Sequence, residues 1–168
     1  KDKSTWKKGL GSWRPFQLAF ILMNLNSVSD LNHVDREMVD LIWFPTGGGK
    51  TEAYLGLSAF TIFMKRLRNK NDSGTTVLMR YTLRLLTAQQ FQRAASLICA
   101  IDKIRDESKD ELGQDRITIG LWVGQITPNR RVVALRDFKK LERGQIEDNP
   151  FVVLKCPWCG TQMGYIKD

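Results

Sequence analysis

Long apolar runs are missing from this chain of 168 residues. No run approaches the roughly 18 residues that a membrane-spanning helix needs, so we expect no membrane partner. The basic residues 1–8 lack the apolar core of a signal peptide. Cysteine is scarce, with three copies, and an odd number cannot form a fully paired disulfide framework. We therefore expect a cytoplasmic protein.

Positive charge is in excess in this chain. The chain carries 26 lysines and arginines against 18 aspartates and glutamates, which gives a net charge of +8. This excess suits a polyanionic partner, of which nucleic acid is the first candidate. A basic surface with no such partner accounts for the charge equally well.

Apolar residues recur at helical spacing in some segments and form short unbroken runs in others. Helices are predicted over residues 15–26, 51–68, 84–107 and 131–143, and strands over residues 39–44, 76–81, 117–123 and 151–154. Strands that alternate with helices predict an α/β fold, a parallel sheet with helices on both faces.

Residues 44–51, with the sequence FPTGGGKT, join a predicted strand to a predicted helix. Consecutive glycines can adopt positive φ and direct backbone N–H groups at phosphate oxygens. Lys50 is predicted to reach the β- and γ-phosphates of ATP, and the Thr51 hydroxyl to complete a Mg²⁺ shell. Phe44 stands where the phosphate-loop pattern expects its first glycine, and a glycine-rich turn with an incidental lysine is the alternative. The predicted phosphate-binding residues are Thr46, Gly47, Gly48, Gly49, Lys50 and Thr51.

Residues 45–51, PTGGGKT, resemble the first motif of superfamily 2 helicases, in which a non-glycine residue at the first loop position is usual. The resemblance implies a RecA-like P-loop motor domain in which Lys50 and Thr51 are catalytic. Upstream, residues 13–17, WRPFQ, are similar to the Arg-Pro-x-Gln element of these helicases. This implies that Arg14 and Gln17 lie at the nucleotide and that Gln17 selects adenine. An ordinary helix start is the alternative.

Two further segments resemble helicase elements that contact the nucleic-acid backbone. Residues 79–90, MRYTLRLLTAQQ, look like motif Ia, although Tyr81 replaces its usual proline. Residues 120–124, GLWVG, resemble the glycine turn after the third strand. A solvated arginine face and a plain strand end explain these segments almost as well. The implied nucleic-acid contacts are Thr82, Arg84, Gln89 and Gly124.

Among these helicases, the sequence of residues 13–160 most resembles the large helicases of the DISARM anti-phage defence system. The stretches that carry it are WRPFQLAF, WFPTGGGKTEAYLGL, YTLRLLTAQQFQR and CPWCG. We favour DNA over RNA as the nucleic acid, and the resemblance implies defence-system proteins as further partners.

Cys156 and Cys159 precede Gly160 at the spacing of a zinc knuckle. A structural zinc site needs four ligands, and the chain has no second cysteine pair, since Cys99 lies in a separate predicted helix. Half of a zinc ribbon, a redox pair and two free thiols all remain open. We favour the half ribbon, with Zn²⁺ bound only when the other half is present.

Helicases of this family use an Asp-Glu pair at the end of an apolar strand for hydrolysis. No predicted strand of this chain ends in such a pair. Asp106 and Glu107 end a helical pattern instead. We expect a fragment, inactive alone, of an ATP-hydrolysing parent. Its predicted parts are an extension over 1–12, a partial RecA-like ATP-binding domain over 13–154 and the start of a zinc-ribbon-like insertion over 155–168. The alternatives are a P-loop ATPase that remodels proteins and a non-hydrolysing, zinc-containing nucleic-acid-binding module.

Overall fold

A computed structural model describes residues 11–45, 47–81, 84–122, 128 and 130–164. The helices are α1 (Pro15–Ser29), a 3-10 helix (Val34–Glu37), α2 (Lys50–Arg68), α3 (Arg84–Glu107), α4 (Lys109–Leu112) and α5 (Arg131–Glu142). The four predicted helices are confirmed, and α1 continues from residue 26 to Ser29. No helix in the described ranges is long and apolar enough to cross a membrane.

The predicted parallel sheet, and with it the RecA-like α/β fold class, is wrong. Across the described residues the four segments predicted as strands are irregular, and one isolated antiparallel bridge joins Lys155 to Gln162. A strand exists only when its backbone groups pair with a neighbouring strand, and a short apolar run does not specify that neighbour. Several large apolar side chains of these segments stand in solvent. Examples are Val39 (95% exposed), Trp43 (90%), Leu78 (81%) and Trp122 (98%).

The chain divides into two compact units, Lys1–Val77 and Leu78–Asp168. In the first unit, α1 and α2 pack side by side, and Gly56 allows their close approach. A Cβ at Gly56 would lie 2.7 Å from Cη2 of Trp13 and 3.0 Å from Cδ1 of Ile21. Ala53, one turn earlier on α2, is fully buried. The predicted domain bounds stay a prediction.

Hydrogen bonds at both ends of α1 and α2 define the orientation of the two helices relative to each other. At one end, Arg68 of α2 donates to the carbonyl oxygens of Val28, at 2.6 Å, and Ser29 in the last turn of α1. At the other end, the start of α1 contacts the glycine loop that precedes α2, through a 2.7 Å hydrogen bond from Gln17 to Gly49. The two helices therefore run parallel, and both N-termini lie at the same end of the first unit.

In the second unit, a buried carboxylate on α3 joins α3 to the chain that follows α4. Asp102 Oδ1 lies 2.8 Å from Arg105 Nε, and these side chains are 12% and 3% exposed. The same carboxylate accepts the backbone N–H of Ile117 at 2.9 Å and lies 3.2 Å from Arg116 Nε. Burial raises the pKa of Asp102, but the hydrogen bonds from Arg105, Ile117 and Arg116 outweigh it, so the pKa lies below its ordinary value. Asp102 thus ties the chain beyond α4 back to α3.

We expect Asp102→Asn to destabilise the second unit by about 3 kcal/mol, because the buried guanidinium of Arg105 loses its buried counter-charge and keeps only the exposed carboxylate of Asp106. The lowered pKa means that the carboxylate stabilises the fold above about pH 4, and that this stabilisation is lost as the pH falls through the folded-state pKa. Urea unfolding of wild type and variant at pH 7 and pH 3 measures both effects.

Asp106→Asn is the matched control. Its carboxylate, 58% exposed, also pairs with Arg105, and we expect its loss to change the free energy of unfolding very little. A difference between wild type and Asp102→Asn that is as large at pH 3 as at pH 7 would contradict the electrostatic role of Asp102.

Candidate nucleotide-phosphate site

The glycine loop, residues 47–49, leads directly into α2, which begins at Lys50. Gly47 and Gly49 have φ of 80° and 92°, a left-handed conformation that other residues rarely adopt. A Cβ on Gly48 would lie 2.9 Å from Cδ1 of Phe44 and 3.0 Å from the Pro45 carbonyl oxygen. Gly47 and Gly49 are therefore required by their backbone conformation, and Gly48 is required because a side chain has no space there.

The start of α1 holds the glycine loop by its carbonyl groups. Gln17, 4% exposed, donates from Nε2 to the Gly49 carbonyl oxygen at 2.7 Å. Its Oε1 accepts the backbone N–H of Arg14 at 2.7 Å. Arg14 in turn donates from Nη1 to the Gly48 carbonyl oxygen at 2.7 Å. Arg14 and Gln17, predicted from sequence to share a site with the loop, therefore contact it directly.

These contacts orient the N–H groups of the loop. A planar trans peptide directs its C=O and its N–H to opposite sides. No cis peptide is present in the described part of the chain. Since Arg14 and Gln17 hold the carbonyls of Gly48 and Gly49 toward α1, the N–H groups of Gly49 and Lys50 point away from α1. Two adjacent donors thus face the same side of the loop.

Phe44, which departs from the glycine expected at the first loop position, packs against α1. Its ring stacks on that of Phe16, with the centroids 3.9 Å apart and the planes 15° from parallel. This stack holds the chain before the loop against the first turn of α1. The pairing was not predicted from the sequence, although Phe16 lies inside the Arg-Pro-x-Gln element.

Lys50 and Thr51 occupy the first turn of α2. The ammonium of Lys50 donates to the carbonyl oxygens of Phe44 and, at 3.2 Å, of Pro45. The first N–H groups of a helix have no intrahelical partner and carry the positive end of its dipole. The Cβ position of Gly47 has open space to 4 Å, so a phosphate can approach the loop backbone there. Donors, charge and space all fit a phosphate group.

Glu52 is a further residue at the loop that the sequence did not single out. Its Oε2 lies 3.4 Å from the Cβ position of Gly49. The available signal was a carboxylate directly after Gly-Lys-Thr, in the first turn of a helix, where the dipole stabilises negative charge. The site therefore combines one carboxylate with the cations Arg14 and Lys50.

The remaining predicted site residues lie outside the described residues or in the second unit. Thr46, Thr82 and Gly124 lie outside the described residues. Arg84 is the first residue of α3, with only its backbone described, and Gln89 lies exposed on the same helix in the second unit. Their contacts with nucleic acid stay predictions.

Cys156 and Cys159 lie in a tight turn of the second unit. Gly160 N–H donates to the Cys156 carbonyl oxygen at 2.9 Å, and Cys156 N–H to that of Thr161 at 2.8 Å. The Thr161 hydroxyl, 3.1 Å from Cys159 Sγ, lowers the pKa of the Cys159 thiol, with smaller effects from the Thr161 amide and the Cys156 thiol. Among the residues with described placement, no group of three or more His, Cys, Asp or Glu could hold a metal ion.

The chain is similar to a DISARM protein. One curated relative, DISARM protein DrmA of Bacillus paralicheniformis, is 44% identical over 169 residues, which cover 89% of this chain and 14% of the relative. The chain thus spans about a seventh of the length of that relative. No family model matches the chain, and no solved structure matches it. The predicted DISARM resemblance is confirmed, whereas the helicase motor stays a prediction.

We expect Gly49→Ala to destabilise the first unit more than Gly47→Ala does. Both variants place alanine in a left-handed conformation, which costs about 1–2 kcal/mol. Only at Gly49 would the new Cβ lie 2.7 Å from Gln17 Nε2 and displace it. Losing that hydrogen bond adds about 1 kcal/mol. Urea unfolding of the two variants measures the difference.

The same pair of variants in a Gln17→Ala background completes a double-mutant cycle. The difference between them should disappear there, because no amide remains to be displaced. A difference that survives the loss of Gln17 would show that Gln17 does not hold Gly49.

Proposed function

We propose that this chain binds ATP with Mg²⁺, as the nucleotide-binding part of a nucleic-acid helicase or translocase in DISARM anti-phage defence. The observation that carries the proposal is the contact between Gln17 and the glycine loop, 32 residues away along the chain. Sequence resemblance assigns these two elements to the same nucleotide site, and they lie within hydrogen-bond distance. A glycine-rich turn with an incidental lysine does not account for that contact.

The first step of binding is a change of partner for Lys50. Its ammonium donates to the neutral carbonyl oxygens of Phe44 and Pro45. Phosphate oxygens carry full negative charge and form stronger hydrogen bonds with an ammonium. We propose that Lys50 exchanges these carbonyls for the β- and γ-phosphates. The N–H groups of Gly49 and Lys50 then donate to phosphate oxygens, and the Thr51 hydroxyl ligates Mg²⁺.

Gln17 is proposed to select adenine in addition to holding the loop. A glutamine amide offers two N–H donors and two acceptor lone pairs. One of each is used on Gly49 and Arg14, which leaves one donor and one acceptor for the edge of a base. Because Gln17 is only 4% exposed, neighbouring side chains must move for a base to reach it.

Hydrolysis requires carboxylates that have no assignment in this chain. Asp106 lies 3.2 Å from Arg105 Nη2 and 2.8 Å from Lys109 Nζ, and Glu107 pairs with Lys103. Carboxylates engaged in this way stabilise the end of α3 and are not proposed for catalysis. We expect negligible ATP turnover by these residues alone, and propose that the full-length protein supplies the missing groups.

Nucleic acid, with DNA favoured over RNA, is the proposed partner of the full-length protein. Two observations support it, the net charge of +8 and the similarity to DISARM protein DrmA. The similarity also supports a role in anti-phage defence alongside other DISARM proteins.

Lys50→Ala should lower the affinity of this chain for ATP by about tenfold or more, since a charged hydrogen bond to phosphate contributes about 1.5–3 kcal/mol. Titration with a fluorescent ATP analogue measures the affinity, and circular dichroism establishes that the variant is folded. Lys103→Ala is the control, because that lysine belongs to the second unit and pairs with Glu107. Wild-type affinity in Lys50→Ala would refute the phosphate role of Lys50.

DNA is expected to stimulate ATP hydrolysis by the full-length protein, because a translocase couples turnover to movement along a strand. Steady-state ATPase assays with and without single-stranded DNA, RNA or an unfolded protein measure this. Stimulation by the unfolded protein alone would favour a protein-remodelling ATPase. Binding of DNA with no turnover would favour a non-hydrolysing module.

A further inference from the structure

We propose that Cys156 and Cys159 are half of a zinc site, and that another segment of the full-length protein supplies its other two ligands. The turn that carries both thiols belongs to the second unit, whereas the glycine loop belongs to the first. The proposal therefore stands or falls separately from nucleotide binding.

Backbone hydrogen bonds shape the turn that carries the two cysteines. An antiparallel bridge joins Lys155 to Gln162 on either side of it. Inside this bridge, Cys156 N–H bonds to the Thr161 carbonyl oxygen and Gly160 N–H to the Cys156 carbonyl oxygen. Gly160 closes the turn with φ of 78°, a conformation that favours glycine. Cysteines three positions apart in such a turn can occupy adjacent corners of a tetrahedron.

Two side chains of α3 hold this turn in place. Gln92 Nε2 donates to the Lys155 carbonyl oxygen at 3.0 Å, and Ser96 Oγ donates to the Pro157 carbonyl oxygen at 2.8 Å. Both bonds go to backbone atoms, so they fix the path of the chain through the turn without using either thiol. The sulfurs remain available for a ligand.

A hydroxyl group lies beside the sulfur of Cys159. The Thr161 hydroxyl is 3.1 Å from Cys159 Sγ. Donors around a metal-bound sulfur orient the ligand and offset its negative charge. Thr161 thus provides the outer shell expected of a zinc ligand.

The described part of this chain does not complete the site. The sequence has one other cysteine, Cys99, and one histidine, His33. His33 lies in the first unit, where its Nδ1 accepts the N–H of Asp35. Cys99 lies on α3, and the described part of the chain contains no group of three donors. Structural zinc takes four ligands, and the proposal assigns the other two to another segment of the full-length protein.

A redox role is less compatible with this geometry. Reactive cysteine pairs owe their low thiol pKa to the N-terminus of a helix or to a neighbouring cation. Here the turn is followed by the bridge residue Gln162, and no helix begins between Gly160 and Gly164 in the described residues. Disulfide formation by the two cysteines would need an electron acceptor, whereas zinc binding occupies both thiolates and needs none.

Zinc protection against alkylation tests the proposal. The reduced full-length protein is incubated with ZnCl₂ or with EDTA and treated with N-ethylmaleimide, and the modified cysteines are identified by peptide mass spectrometry. Zinc should slow alkylation of Cys156 and Cys159 together by about tenfold or more, since a metal-bound thiolate is not a free nucleophile. Cys99 is the internal control and should react at the same rate in both samples. No protection, or equal protection of all three cysteines, would overturn the proposal.

Variants and metal stoichiometry separate a shared site from independent thiols. Cys156→Ser should remove the protection of Cys159, and Cys159→Ser that of Cys156, whereas Cys99→Ser should preserve both. Titration of the full-length protein with Co²⁺ should give a sulfur-to-cobalt charge-transfer band, and Cys156→Ser or Cys159→Ser should lower its saturation by one ion per chain. A loss of one ion per two chains would assign the other ligands to a second copy and overturn their assignment to another segment.

Discussion

The hydrogen bond from Gln17 to the Gly49 carbonyl is the interaction on which the candidate site depends. Gly49 is the N-cap of α2, so its carbonyl lies in the peptide unit that opens the helix. Fixing that carbonyl fixes the opposite direction of the Lys50 N–H. Arg14 does the same for the preceding peptide through the Gly48 carbonyl. The start of one helix thereby sets the direction of the donors at the start of the next.

Long cationic side chains of the first unit repeatedly bond to backbone carbonyls. Arg36 donates to Ser27 at 2.7 Å, Lys65 to Gly74 at 3.0 Å and Arg66 to Lys70 at 3.1 Å. Helix ends and irregular chain leave carbonyl groups without a backbone partner, and these charged donors satisfy them. Part of the positive charge that predicts a polyanionic partner therefore has a structural role within the unit.

The sequence predicted the helices and failed on the sheet for one physical reason. A helix closes its hydrogen bonds within the segment itself, so the spacing of apolar residues predicted α1, α2, α3 and α5. A strand bonds to a partner elsewhere in the chain, which an apolar run such as residues 39–44 does not identify. The contact of Gln17 with the glycine loop also joins residues that are far apart in sequence, but the resemblance to helicases predicted that they share a site. The stack of Phe16 on Phe44 and the position of Glu52 had no such guide and appeared only with the fold.

The parallel arrangement of α1 and α2 has a thermodynamic consequence. Parallel helices bring the positive ends of their dipoles together, and these ends repel each other. Arg14 and Lys50 add two further positive charges at the same end of the unit. The folded first unit therefore carries an excess of positive charge beside the glycine loop, because the single carboxylate of Glu52 offsets only part of it. An anion that binds there relieves this repulsion, and because the unfolded chain has no such site, binding and folding are linked.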